Sequence, residues 1–158
     1  MSMEMYLLTN EAVPTTQAWQ KAIDALGFDV RFLKEQSLQA KETPLPAEIQ
    51  GKTVLLELLQ VKLNDLRETF PGTAFPEQVS HVHTLRWTMT FEGGAAAYQA
   101  AAAYLGLVKG LMIDTEEGKL KTPDEAIDLA RRVTADIVVA EAALRKFVGE
   151  RTSKIRKN

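Results

Sequence analysis

The sequence predicts an α+β protein, with a four- or five-stranded sheet covered by helices and a long C-terminal helix. Three observations carry this expectation: strand-like alternation on both sides of helical stretches, an alanine-rich run behind a glycine pair, and a capped C-terminal helix. A length of 158 residues suits one folding unit, because halves of about 80 residues would each have a marginal core. We assign residues 1–150 to a single α+β domain and residues 151–158 to a basic C-terminal tail.

From Met3 to Thr9 the chain reads as a strand that is apolar on both faces, which suits a central position in a sheet. Thr15 and Thr16 supply an N-cap ahead of Trp19, Ala22, Ile23 and Leu26, spaced as one face of a helix that Gly27 ends. Phe28, Val30 and Phe32 alternate with Asp29 and Arg31 and predict a second strand, completing a strand-helix-strand unit. Residues 34–51 carry Pro44, Pro46 and scattered polar side chains, and read as a long mobile connection.

Thr53 to Leu59 is short and almost wholly apolar, as a buried strand requires, and Leu63, Leu66 and Phe70 follow at helical spacing. Past Pro71, Gly72 and Pro76, the series His83, Leu85, Trp87, Met89 and Phe91 alternates with more polar residues, the clearest strand pattern in the chain. Gly93 and Gly94 open the alanine-rich helix, whose small side chains permit a close approach to the sheet, and Gly110 ends it. Leu111 to Asp114 can form a fifth strand before a turn at Glu116, Glu117 and Gly118. Thr122, Pro123 and Glu125 then form a capping box with proline at the first helical position. Two strand-helix-strand units under helices give an architecture that is ferredoxin-like in outline.

Composition narrows the function. A formal charge of −2 gives no global attraction to phosphate polymers, so nucleic-acid binding is not expected. The absence of cysteine removes thiol nucleophiles, zinc-thiolate sites and disulfides, and points to a reducing compartment. Residues 1–10 lack a basic n-region and a long apolar stretch, so a cytoplasmic protein with no membrane contact is expected.

Few residues carry chemistry. His81 and His83 share a strand face as H-x-H, but no further ligand accompanies them, and no metal or other cofactor is expected. The ordinary reading puts one histidine at the strand mouth and the other, satisfied, near the core. Asp114, Glu116 and Glu117 can offer paired carboxylates for acid-base work, or form a solvated turn. Gly93 and Gly94 can present N–H groups to an anion, or simply make a tight turn. Arg86, among Thr84, Thr88 and Thr90, marks a possible partner surface on the less apolar strand face.

The C-terminal helix is the more informative element. Ile127, Ala130, Val133, Ile137, Ala140, Leu144 and Phe147 form an apolar stripe that Val138, Val139 and Val148 widen. A helix of about 25 residues is about 38 Å long, more than a small sheet needs, so part of it is expected to meet another chain. Val139, Leu144 and Arg145 on this helix join Arg86 as candidate partner-binding residues.

The run Leu85, Arg86, Trp87, the glycine pair with its alanine-rich helix, Asp114 to Gly118 and the capped Thr122 to Ala126 resembles small bacterial α+β proteins, some of them immunity-like. The resemblance covers the second half of the chain. The thin catalytic inventory and the surplus apolar surface of the last helix lead to the expectation of a non-enzymatic protein-binding protein, in immunity-like form one that neutralises a toxin by covering it. The partner would be another protein or a second copy, met through the C-terminal helix. The rival expectation is a small enzyme or ligand-binding domain using Asp114, Glu116, Glu117 and His83. An apolar pocket holding those groups would favour it.

Overall fold

The computed structural model describes the backbone of residues 2–115 and 117–156, and the side chains of residues 2–115 and 117–149. Its elements in chain order are β1 (Ser2–Thr9), α1 (Thr16–Ala25), β2 (Arg31–Phe32), β3 (Glu42–Ile49), β4 (Lys52–Gln60) and α2 (Leu63–Thr69). β5 (His81–Thr88), α3 (Phe91–Val108), β6 (Leu111–Asp114), β7 (Leu120–Lys121) and α4 (Pro123–Arg156) follow. The strands form one seven-stranded sheet in the order β2-β3-β4-β5-β1-β6-β7, with every neighbouring pair antiparallel.

The chain is therefore α+β with a long C-terminal helix, but its sheet has seven strands where the sequence predicts four or five. β1 does occupy an inner position, between β5 and β6. Both neighbours run against it, so β5, α3 and β6 make a strand-helix-strand unit split by an inserted strand. The first unit spreads further, since β2 lies at the opposite edge with β3, β4 and β5 between it and β1.

β3 corrects the largest expectation. Residues 42–49 form a full strand within the segment read as a mobile connection. Its prolines fit because both face the outer edge, where no ladder bond to β4 is lost. Leu33 N–H donates to the Pro46 carbonyl at 2.9 Å, and Gln36 Nε2 donates to the Pro44 carbonyl at 2.7 Å. Each carbonyl points away from β4, and the ring nitrogen of the same residue points the same way. Gln50 and Gly51, with φ of 50° and 76°, close a two-residue hairpin onto β4. β2 shrinks to two residues, and Phe28 lies outside the ladder. β7, also of two residues, is too short to leave a pattern in sequence.

Three helices cover one sheet face. Alanines 95–97 and 100–103 of α3 are buried between the sheet, α1 and α4, and their single methyl groups allow the helix to sit close to its neighbours. Met5, Leu7, Leu56, Leu58, Leu85 and Trp87 meet Trp19, Ile23 and the α3 alanines in the main core. The other face carries a smaller cluster, in which Leu8, Val82 and Ile113 pack under Leu66 of α2 and under Phe70 and Phe75. β5 stops at Thr88, and Thr90 caps α3 by accepting from Gly93 N–H at 2.9 Å, so Met89 and Phe91 lie beyond the strand.

Gly93 and Gly94 accordingly belong to the first turn of α3 rather than preceding it. A Cβ on Gly93 would stand 2.6 Å from the Thr88 carbonyl oxygen, which only glycine avoids. The capping box of α4 is reciprocal: Thr122 N–H donates to Glu125 Oε1 at 3.2 Å, and Glu125 N–H to Thr122 Oγ1 at 3.3 Å. No helix among the described residues is long and apolar enough to cross a membrane.

Candidate functional site

At 34 residues, α4 is about 51 Å long. Its first half packs on the body, burying Ala126, Ala130 and Ile137 against α3. Near Ala140 and Glu141 it passes the start of α3. Here Lys52, on β4, reaches Glu92 at 2.6 Å and Glu141 at 3.7 Å. From Ala142 to Gly149 every residue is exposed.

The apolar stripe does not stop where the body stops. Leu144 lies one heptad past Ile137 and returns to within about 20° of its direction. Leu144 is 57% exposed and Phe147 59%, although they continue the face that buries Ile137. Val139, 70% exposed, points about 160° away from Ile137, and Arg145 is exposed on the same projecting half.

A groove of about 390 Å³ runs along the root of this projection. Leu129, Val133, Ile137 and Ala140 of α4 form one wall, and Phe91, Gly94 and Tyr98 of α3 the other; Met3 and Trp87 of the sheet also line it. The alternation of β1 and β5 puts both sheet residues on the helix-covered face, where the register pairs them. Trp87 and Tyr98 meet edge to face with ring centres 5.6 Å apart. Three carboxylates, those of Asp114, Glu117 and Asp136, also line the groove.

Asp114 corrects the solvated-turn reading, for it ends β6 and is only 4% exposed. Tyr98 Oη donates to its Oδ1 at 3.2 Å. Glu117 stands exposed at the rim, 2.9 Å from Lys121 Nζ. The hydrogen bond and charge of that lysine hold its carboxyl below the usual range. Glu116 lies outside the described residues. Asp136 and Tyr98 were not singled out from sequence. The available signal was an acidic residue beside the apolar stripe of α4 and one of the two tyrosines in the alanine run.

The histidines lie elsewhere. They share a strand face, with ring centres 6.4 Å apart, and His83 packs 6.1 Å from Tyr104, outside the residues that line the groove. His81 is exposed at the strand mouth. His83 is buried but not satisfied, since its Nδ1 has no hydrogen-bond partner among the described residues. Burial, with a smaller contribution from His81, pushes its pKa down to about 4. Among the described residues no group of three metal-ligating side chains occurs.

Arg86 faces the opposite side of the sheet, where it pairs with Glu4 at 3.5 Å. The fold therefore separates it from Val139, Leu144 and Arg145. The anion reading of the glycine pair loses its donors, because Gly93 N–H is taken by Thr90 Oγ1 and Gly94 N–H by the Thr90 carbonyl. A buried Gln99 was also missed. Its amide donates to Asp29 at 2.9 Å and Thr134 at 3.0 Å, while its Oε1 accepts from Val30 N–H, tying α3 to α4 and to the approach to β2.

Fold and site together define an α+β protein with a seven-stranded antiparallel sheet, an apolar groove and a projecting helix. Comparison with family models, curated proteins and solved structures found no match for the chain.

Proposed function

We propose that the chain is a non-enzymatic protein-binding protein whose partner docks on the distal half of α4 and the groove at its root. The supporting observation is the apolar stripe that leaves the body with Leu144 and Phe147 exposed on it. Exposed apolar surface of this continuity marks contact with another chain, and covering a partner requires complementarity rather than a catalytic constellation. An immunity-like protein that covers a toxin is one form of this function.

Tagged protein recovered from its native cells should carry a stoichiometric protein partner or a second copy of itself, and Leu144→Glu should lose it. Leu144 lies off the body, so the substitution should leave the melting temperature unchanged. A parent that emerges alone and monomeric would overturn the reading, as would a Leu144→Glu variant that keeps its partner.

A second reading, a small-ligand-binding domain or small enzyme, draws support from the Asp114 carboxylate buried in an aromatic-lined groove. Aromatic faces and carboxylates together favour an apolar cation. An organic amine should then raise the melting temperature of the parent but not that of Asp114→Asn. A panel of aromatic and aliphatic amines that shifts neither protein would remove this reading.

A further inference from the structure

We propose that the occupant of this surface is a second copy of the chain, its α4 lying antiparallel to the first about a two-fold axis near Leu144. The inference rests on the protein-binding reading and names its partner. An axis at that point lays the distal half of each α4 over the groove of the other copy. The groove lies on the flank of the stripe that Phe147 continues. Leu144 of each copy then meets its counterpart at the axis, and Phe147 of one copy packs at the Ala140 end of the other's groove wall. Each chain would cover what its partner exposes, as a self-complementary two-fold interface requires.

Charge supports the same pairing. The groove presents Asp114, Glu117 and Asp136. Arg145 and Lys146 lie on the exposed distal half of α4, and the sequence beyond them is basic, with Arg151, Lys154, Arg156 and Lys157 against Glu150 alone. An acidic groove and a basic apolar helix in one polypeptide are complementary between copies, whereas a basic groove would have repelled that helix. Antiparallel packing of apolar helix stripes is itself an ordinary interface geometry.

Light scattering on full-length protein after size exclusion should give a dimer at tens of micromolar. Leu144→Glu should weaken dimerisation by on the order of 100-fold, because an unpaired carboxylate would enter the apolar contact. Asp136→Lys should weaken it as well, by reversing the charge at the groove. The chain has no cysteine, so Leu144→Cys introduces a single thiol that oxidation should convert to a covalent dimer. Val139→Cys, on the opposite face of α4, should cross-link far more slowly. A parent that stays monomeric at hundreds of micromolar would overturn this proposal while leaving a foreign partner for the native-cell recovery to detect. A dimer that survives either Leu144→Glu or Asp136→Lys, or equal cross-linking at positions 139 and 144, would equally overturn it.

Discussion

Trp19→Ala is expected to destabilise the protein by about 3–5 kcal/mol, the range for emptying a buried large aromatic site. Trp19 is fully buried on α1, between Phe32 and Tyr104, with ring centres 4.9 and 5.0 Å away. Its indole N–H also donates to the Ala100 carbonyl at 2.8 Å, fastening α1 to α3. Truncation therefore leaves a cavity among α1, α3 and the sheet and removes a hydrogen bond that crosses two helices. Alanine at this position costs nothing in helix propensity, so the effect reports on the lost packing and the lost hydrogen bond together. Urea unfolding of parent and variant measures the difference from the shift in midpoint at constant slope. A loss below about 1 kcal/mol would mean that the site collapses around the missing ring.

Acidification is expected to remove roughly 2 kcal/mol of stability between about pH 6.5 and pH 4.5, through His83. Its folded pKa is about 4, below the ordinary histidine value of 6.5. Across that window the unfolded chain binds a proton that the folded chain refuses, so stability rises with pH and falls as pH is lowered. The cause is desolvation beside Tyr104, with His81 adding its charge. Glu92, Glu117 and Glu125 have carboxyl pKa values held below their usual value. Their contribution is present above that value and lost only at lower pH, so the interval from pH 6.5 to 4.5 reports on the histidine. Unfolding free energies of the parent and of His83→Leu at pH 7 and pH 4.5 check this. The variant should lose most of the slope, and an unchanged slope would show that His83 is hydrated when folded.

Much of the local structure was legible because it depends on neighbours in sequence. Thr15 caps α1 through Ala18 N–H at 3.2 Å, Gly27 ends that helix with φ of 73°, and Thr122 and Glu125 close their box as their spacing implies. The alternation from His83 to Trp87 identified the inward face of β5. β3 was illegible because a proline's effect depends on which edge of the strand its nitrogen faces, and that is decided by a partner strand. The groove was partly legible. Asp114 drew notice as an acidic residue, but its burial beside Tyr98 and Trp87 arises from crossing elements that lie far apart in the chain.

Sequence alone determined the α+β class, the cap residues and the apolar stripe of α4, since each follows from a period or a spacing of a few residues. Tertiary structure alone decided that β1 lies between β5 and β6, that Arg86 and Leu144 are on different sides of the molecule, and that the stripe outruns its support. An apolar period records which face of a helix avoids water, but not the point along the helix where the rest of the protein ends.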